Sequence, residues 1–254
     1  VYLSKFLALS GICSRRKSTE VIKLGLVMVN DRVVKEPFHD VKPGDIVYFD
    51  GQIVKQERKF VYILLNKPEN CISTVSDEHA RRTVFDIVKL KSNVRLYPVG
   101  RLDRMTTGLL ILTNDGQLTK KLTHPSHEVP KKYEVLLDRV FQRSDMQKLC
   151  RGIRLHDGFI KPDRIFCPSG EHGCTVIVEL HSGRNRIVRR MFEHLGYEVK
   201  ELDRFFYAGL TKKGLKLGQW RYLTEKEVEG LRTTRSNPST SSGRAGSSVS
   251  SKLN

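Results

Sequence analysis

The sequence predicts an α+β fold: a small α/β module, then a larger domain built on a mixed, largely antiparallel sheet with flanking helices. Three observations carry this. Apolar runs of strand length outnumber helically periodic ones. They alternate with helices irregularly, so a doubly wound parallel sheet is not expected. A polar stretch, KQERK at 55–59, separates a short helix–helix–hairpin start from the rest.

The elements follow in order. In YLSKFLALSG, Leu3, Phe6 and Leu7 recur at helical spacing and Gly11 stops the helix. In SRRKSTEVIKLG, Ser14 is placed to cap the next helix and Gly25 to end it. VMVNDRVV reads as a hairpin turning on Asn30-Asp31. VKPGDIVYFDGQIV adds a turn, a strand and an Asp-Gly turn. This first module spans 1–57. The second domain spans 58–232. FVYILLNKP (60–68) and GLLILTND (108–115) read as buried strands, and KKYEVLLDRV (131–140) alternates like a half-buried one. RSDMQKLCRGI opens with Ser144-x-x-Gln147, a capping-box pattern, and CTVIVELHSG (174–183) is a strand running into a loop. RNRIVRRMFEHLG (184–196) reads as a basic helix, and Thr224-x-x-Glu227 opens a last short one. Residues 233–254 are Ser- and Gly-rich with almost no apolar side chains, so that tail is expected to be disordered.

The charge narrows the partner. With 45 Lys+Arg against 28 Asp+Glu, the formal net charge is +17. That excess suits a polyanion, nucleic acid by default. No apolar stretch reaches the roughly 18 residues of a membrane span, so no membrane partner is expected. Five cysteines form no CxxC pair, which fits a reducing cytosol better than a disulfide framework or a zinc site. No signal peptide is visible, so the protein is expected in the cytoplasm. GxxxxGK[ST] and GxGxxG are both missing from the sequence, so no nucleotide cofactor is implied.

Four groups of residues could carry chemistry. Lys5, Arg15, Arg16 and Lys17 gather on the first two helices. Basic side chains in a first helical turn oppose the dipole, so phosphate contact explains them better than helix stability. In VGRLDRMTTGLLILTNDG, Asp103 lies between Arg101 and Arg104 at the entry to an apolar strand. Two flanking arginines would hold it ionised, below its ordinary pKa of ~3.9, as a structural ion pair or as a nucleophile. HSGRNRIVRR contains Arg184, Arg186, Arg189 and Arg190 and no acid, which reads as a phosphate-binding strip with one arginine turned toward the acid. Tyr133 alternates with Val135 and Leu137, either as a core residue or as a platform for an unstacked base. His124 and His127 have HxxH spacing but no third ligand beside them, so no metal is expected.

Taken together, residues 2–232 resemble a pseudouridine synthase of the RsuA/RluB branch. LSKFLALSGICSRRKSTEVIKLGLVMVN resembles an S4 RNA-binding domain. VGRLDRMTTGLLILTNDG resembles the family's long and specific catalytic motif, while KKYEV and ELHSGRNRIVRRMFEHLG resemble its second and third motifs. The tract LTHPSHEVPKKY, with PVGRLD before it, is more similar to the large-subunit, RluB-like enzymes than to the small-subunit ones. The resemblance implies a cleft across a mixed sheet and isomerisation of uridine to pseudouridine in ribosomal RNA, most naturally 23S, without cofactor or metal, by a monomer. It implies Asp103 as nucleophile, Arg189 as its ion-pair partner, Tyr133 as the base-stacking residue, Leu180 as the apolar contact beneath the base, and Arg101 beside the substrate. Where many members carry Gln before V-R-R, this chain has Ile187, which supplies no amide hydrogen bond. A 16S rRNA enzyme of the same chemistry, or a non-catalytic S4-type assembly factor, are the alternatives.

Overall fold

The structure is a computed structural model, and it describes residues 1–55, 59–75, 80–90, 94–168 and 173–233. The expected domain junction at 57–58 and the Ser-rich tail beyond Thr233 lie outside the described residues.

The first module begins with α1 (Leu3–Leu9) and α2 (Arg15–Lys23). As expected, the Ser14 hydroxyl caps α2 by accepting from the Lys17 amide at 3.2 Å. A four-stranded sheet follows, from β1 (Val27–Val29), β2 (Arg32–Val33), β3 (Val47–Phe49) and β4 (Gln52–Ile53), in the order β2-β1-β3-β4. Asn30 and Asp31 both have positive φ, 48° and 63°, which lets the β1–β2 chain reverse in two residues. Leu3, Leu7, Ile22, Val27 and Val47 form the centre of a small separate core.

The second domain opens with β5 (Tyr62–Lys67), α3 (Val84–Ile87), β6 (Tyr97–Pro98), β7 (Thr107–Thr113) and α4 (Gly116–Thr123). Next come β8 (Lys131–Leu137), α5 (Arg143–Arg151), β9 (Ile153–Leu155), β10 (Gly158–Ile160), β11 (Arg164–Phe166) and β12 (Thr175–Leu180). It closes with α6 (Ile187–His194), β13 (Val199–Tyr207), β14 (Leu210–Thr211), β15 (Trp220–Tyr222) and α7 (Glu225–Thr233). The main sheet runs β11-β12-β8-β13-β7-β5-β15, with β14 on β13 and β6 on β7. Every pairing in it is antiparallel except β13 with β7, so the sheet is mixed and largely antiparallel. β9 and β10 form a separate two-stranded hairpin.

The unbroken run Leu109–Leu112 reflects burial on both faces. Leu109 and Ile111 pack toward Leu118 and Leu122 of α4, while Leu110 and Leu112 pack toward Val84 and Val88 at α3. Gly108 makes the parallel contact possible: a Cβ there would stand 2.3 Å from the Arg204 carbonyl oxygen of β13. Thr224 and Glu227 form the expected box at α7, with the Glu227 carboxylate accepting from the Thr224 amide at 2.9 Å. Two local expectations are corrected. α5 is capped at Gln142 without a side-chain bond, so Ser144 lies inside the helix and forms no capping box. α6 begins at Ile187 rather than Arg184, because Arg186 takes a left-handed conformation at φ 48°. Among the described residues, no helix is long and apolar enough to cross a membrane.

Candidate active site

The segment before β7 is pinned on both sides of Asp103. Upstream, the Leu102 amide donates to Ser73 Oγ at 3.2 Å, and Ser73 Oγ donates to the Leu102 carbonyl at 3.0 Å. Downstream, the Thr106 amide donates to the Asp103 carbonyl at 3.1 Å. Lys67, at the end of β5 and 0% exposed, donates from Nζ to the carbonyls of Pro68 (2.8 Å), Arg104 (3.2 Å) and Thr106 (2.8 Å). Desolvation, partly opposed by Cys71 and Asp103, brings the Lys67 pKa down to about 8. Sequence reasoning missed both Lys67 and Ser73. A usable signal was present for the first: a lysine at the end of an otherwise buried apolar strand is costly unless it is fully hydrogen-bonded.

Asp103 projects from this turn into a cleft, and its side chain is 34% exposed. It is the single acid among the described residues that line the cleft, whereas Arg101, Lys131, Arg184, Arg186 and Arg204 all contribute there. Arg186 is the cation nearest Asp103, with Nη1 3.8 Å from Oδ2, and it also reaches Glu193 at 3.3 Å. Arg101 and Arg104 are exposed, and neither forms an ion pair with Asp103. Arg189 does not approach Asp103 within ion-pair distance. Instead it is buried behind the cleft, with Nη1 donating to the Val199 carbonyl at 2.8 Å and Nη2 to the Met105 carbonyl at 3.3 Å. Burial first, and the Arg186 charge next, push its pKa down; Asp103 acts at longer range in the opposite direction.

Tyr133 lies on β8 opposite Arg204 of β13, lines the cleft and is largely buried. Behind it are two buried cations. Arg204 donates from Nε and Nη2 to the Leu109 carbonyl at 2.9 and 2.7 Å and sits 4.5 Å from the Tyr207 ring centre. Lys131 donates to the carbonyls of Val129 (2.8 Å) and His181 (2.9 Å), and burial, then Arg204, lowers its pKa to about 8. Leu180 is 1% exposed and packs in one core with Tyr133, Val178, Ile187, Val188 and Leu202; of these, Tyr133, Ile187, Val188 and Leu202 also line the cleft. Leu180 pairs with Lys131 at the end of β12.

The arginine strip does not form one phosphate-binding face. Arg184 donates to the Asp157 carbonyl (3.1 Å), to Asp157 Oδ1 (3.2 Å) and to the Phe159 carbonyl (2.8 Å). Arg190 reaches Asp157 Oδ2 at 2.8 Å. Arg186 precedes α6, so it does not share a helical face with Arg190. In the first module Lys17 pairs with Glu20 at 3.0 Å, Arg15 and Arg16 are exposed, and Lys5 is half-buried. The His124 and His127 rings meet edge-on at 5.9 Å, with His124 Nδ1 on Ser126 Oγ at 2.7 Å. Among the described residues, no three His, Cys, Asp or Glu side chains are grouped to hold a metal.

Comparison with known proteins places the chain in a family. The RNA pseudouridylate synthase profile matches residues 61–194 and the S4 domain profile residues 3–47. Over 235 residues the chain is 43% identical to Ribosomal large subunit pseudouridine synthase B of Bacillus subtilis (strain 168), covering 91% of this chain and 95% of that protein. It is 35% identical over 234 residues to Dual-specificity RNA pseudouridine synthase RluF of Escherichia coli (strain K12), covering 91% of this chain and 78% of that one. A crystal structure of a pseudouridylate synthase superposes with a TM-score of 0.66 at 29% identity, covering 91% of this chain and 99% of that one. The chain belongs to the RNA pseudouridylate synthase family. It joins an S4 domain to the pseudouridine synthase fold and is an isomerase of uridine in RNA.

Proposed function

We propose that this protein isomerises a uridine of ribosomal RNA, in the large subunit, with Asp103 as nucleophile and Tyr133 against the extruded base. The observation that carries the reading is Asp103, the lone carboxylate among the described residues that line the cleft, on a turn pinned by Lys67 and Ser73 and surrounded by cations. The cations suit an RNA backbone, and the pinned acid suits attack at a fixed point.

The reaction breaks the C1′–N1 bond of uridine, turns the base, and joins C1′ to C5, from which a proton leaves. A stacked uracil is out of reach, so it is extruded at a cost of a few kcal/mol. Stacking on Tyr133 returns about 1–3 kcal/mol of that. The carboxylate then attacks the nucleotide, at C1′ of the ribose or at C6 of the base. Arg186 steadies the carboxylate from the rim. Arg189 holds the Met105 carbonyl, and with it the backbone just beyond the acid. The pocket wall at Ile187 is apolar, so recognition of the uracil edge falls to other groups.

The large-subunit assignment rests on the 43% identity to the Bacillus subtilis enzyme. A second reading, more than one RNA substrate, is favoured by the similarity to the dual-specificity enzyme. Tritium release from C5-tritiated uridine separates them, with large-subunit RNA, small-subunit RNA and transfer RNA assayed side by side. Release from large-subunit RNA alone is expected. Release from a second RNA would establish dual specificity, and release from small-subunit RNA alone would overturn the assignment. Ribosomal RNA as substrate implies a cytoplasmic protein, and one copy of the chain supplies every group named above.

A further inference from the structure

The hairpin of β9 and β10 is outside both the S4 module and the machinery around Asp103, yet it is tied to the cleft. Arg184, a cleft-lining residue, donates to the Asp157 and Phe159 carbonyls and to the Asp157 carboxylate, and Arg190 holds the other carboxylate oxygen. Ile153, Leu155 and Ile160 turn inward onto the core, which leaves Arg154 and Phe159 facing outward. These two are direct cross-strand partners. Phe159 is 60% exposed, although a phenylalanine facing water gains nothing for the fold.

Its ring is nevertheless seated. It lies against the backbone of Gly152, where an added Cβ would come within 2.1 Å of Phe159 Cζ. The Cζ end of the ring is thus held by the chain. The charges around it are also unusual. The acids of this stretch are committed elsewhere: Asp145 to Lys148 and Tyr197, Asp157 to Arg184 and Arg190, and Asp163 to His181. Arg151, Arg154 and Lys161 are exposed, and among the described residues none has a carboxylate within ion-pair distance.

From this arrangement we propose that the β9–β10 hairpin is a second RNA contact, in which Phe159 stacks an unpaired base beside the target nucleotide while Arg154 and Lys161 meet the adjoining phosphates. The inference rests on the RNA reading of the neighbouring cleft. An exposed aromatic ring anchored at one end, flanked by cations without counter-charges, is an arrangement that suits single-stranded nucleic acid. An acidic or apolar protein partner would use one half of it and leave the other unmatched. The arginines at 184 and 190 therefore contribute to RNA binding by holding this platform.

The test uses the full chain carrying Asp103→Asn, so that binding is read without turnover, with a fluorescently labelled large-subunit RNA fragment as probe. Phe159→Ala is expected to weaken binding roughly 5- to 100-fold and leave the salt dependence unchanged, since a stacked base releases no counterions. Phe159→Trp is expected to restore it. Arg154→Ala with Lys161→Ala is expected to weaken binding and flatten the slope of log Kd against log salt by about 1.4, for two single-strand phosphates. In the catalytically intact protein, Phe159→Ala should raise KM and leave kcat at saturating RNA unchanged. Thermal midpoints should stay at the parent value in all of these. Unaltered RNA affinity in the Phe159→Ala protein would overturn the platform and leave the hairpin to a protein partner or to none. If the intact protein isomerises no RNA, the cleft reading has failed, and the binding comparison still reports on the hairpin.

Discussion

Two arginine-rich turns in this molecule carry similar local sequences and do different work. At the start of α2, Arg15 and Arg16 are exposed, and no ion pair engages them among the described residues. At 184–190, Arg184 and Arg190 share Asp157, Arg189 holds two backbone carbonyls, and only Arg186 faces the cleft acid. The first tract offers its charge to a ligand. The second uses most of its charge to hold backbone in place. What separates them is a carboxylate about thirty residues away in sequence, at Asp157, which a local reading of charge does not bring to bear. The cations of the cleft divide in the same way: Lys131 and Arg204 are buried and spent on carbonyls, as Lys67 is behind the Asp103 turn, whereas Arg101 is open.

The largest effect short of Asp103 itself is expected at Lys67. Lys67→Met removes the donor to three carbonyls, two of them in the turn that carries Asp103. Loosening a reacting group by about an ångström costs on the order of 100-fold. Single-turnover rates should fall by that order with RNA affinity retained; a full rate would mean that the turn holds itself. A pH series sharpens the same point. The folded pKa of Lys67 is near 8 against an ordinary 10.5, so between those values the unfolded chain binds more protons. The contribution of this group to stability therefore becomes more favourable as pH rises through that window. Activity should move the other way, because a neutral amine has two N–H groups for three carbonyls. Parallel decline of both would contradict the assignment of that limb to Lys67.

The contrast between the two arginine tracts is tested directly by salt. Arg15→Ala with Arg16→Ala should weaken RNA binding and flatten its salt slope by about 1.4. Arg184→Ala should leave the slope nearly unchanged and instead raise amide exchange in β9 and β10, whose backbone it holds. Equal slopes for the two variants would erase the distinction. The smallest effect concerns Thr106, which lines the cleft at 2% exposure with a hydroxyl that has no partner among the described residues. Thr106→Val removes a buried orphan and should leave the thermal midpoint unchanged or raise stability by up to about 1 kcal/mol. A clear drop would show that the hydroxyl is bonded in the working fold.

Much of this architecture was legible in the sequence, for physical reasons. Period-two and fully apolar runs gave the strands, and Ser14, Asn30-Asp31 and the Thr224–Glu227 pair act locally, so their effects stay where the sequence shows them. Asp103 was legible as an isolated acid before a buried strand. The misplacements share one cause. The bonding of Arg189 to the Val199 and Met105 carbonyls, and of Arg184 and Arg190 to Asp157, is set by contacts between distant segments. Lys67 and Ser73 escaped notice for the same reason, since their partners lie about 30 to 40 residues onward.

The central claim is that the carboxylate of Asp103, held on its pinned turn, performs the chemistry. The direct measurement is tritium release from C5-tritiated RNA by the Asp103→Asn protein, beside its affinity for the same RNA. Asparagine keeps the shape and removes the nucleophile, so release should vanish while the affinity stays within a few fold of wild type. Measurable release by that variant, under conditions where the parent is active, would contradict the claim.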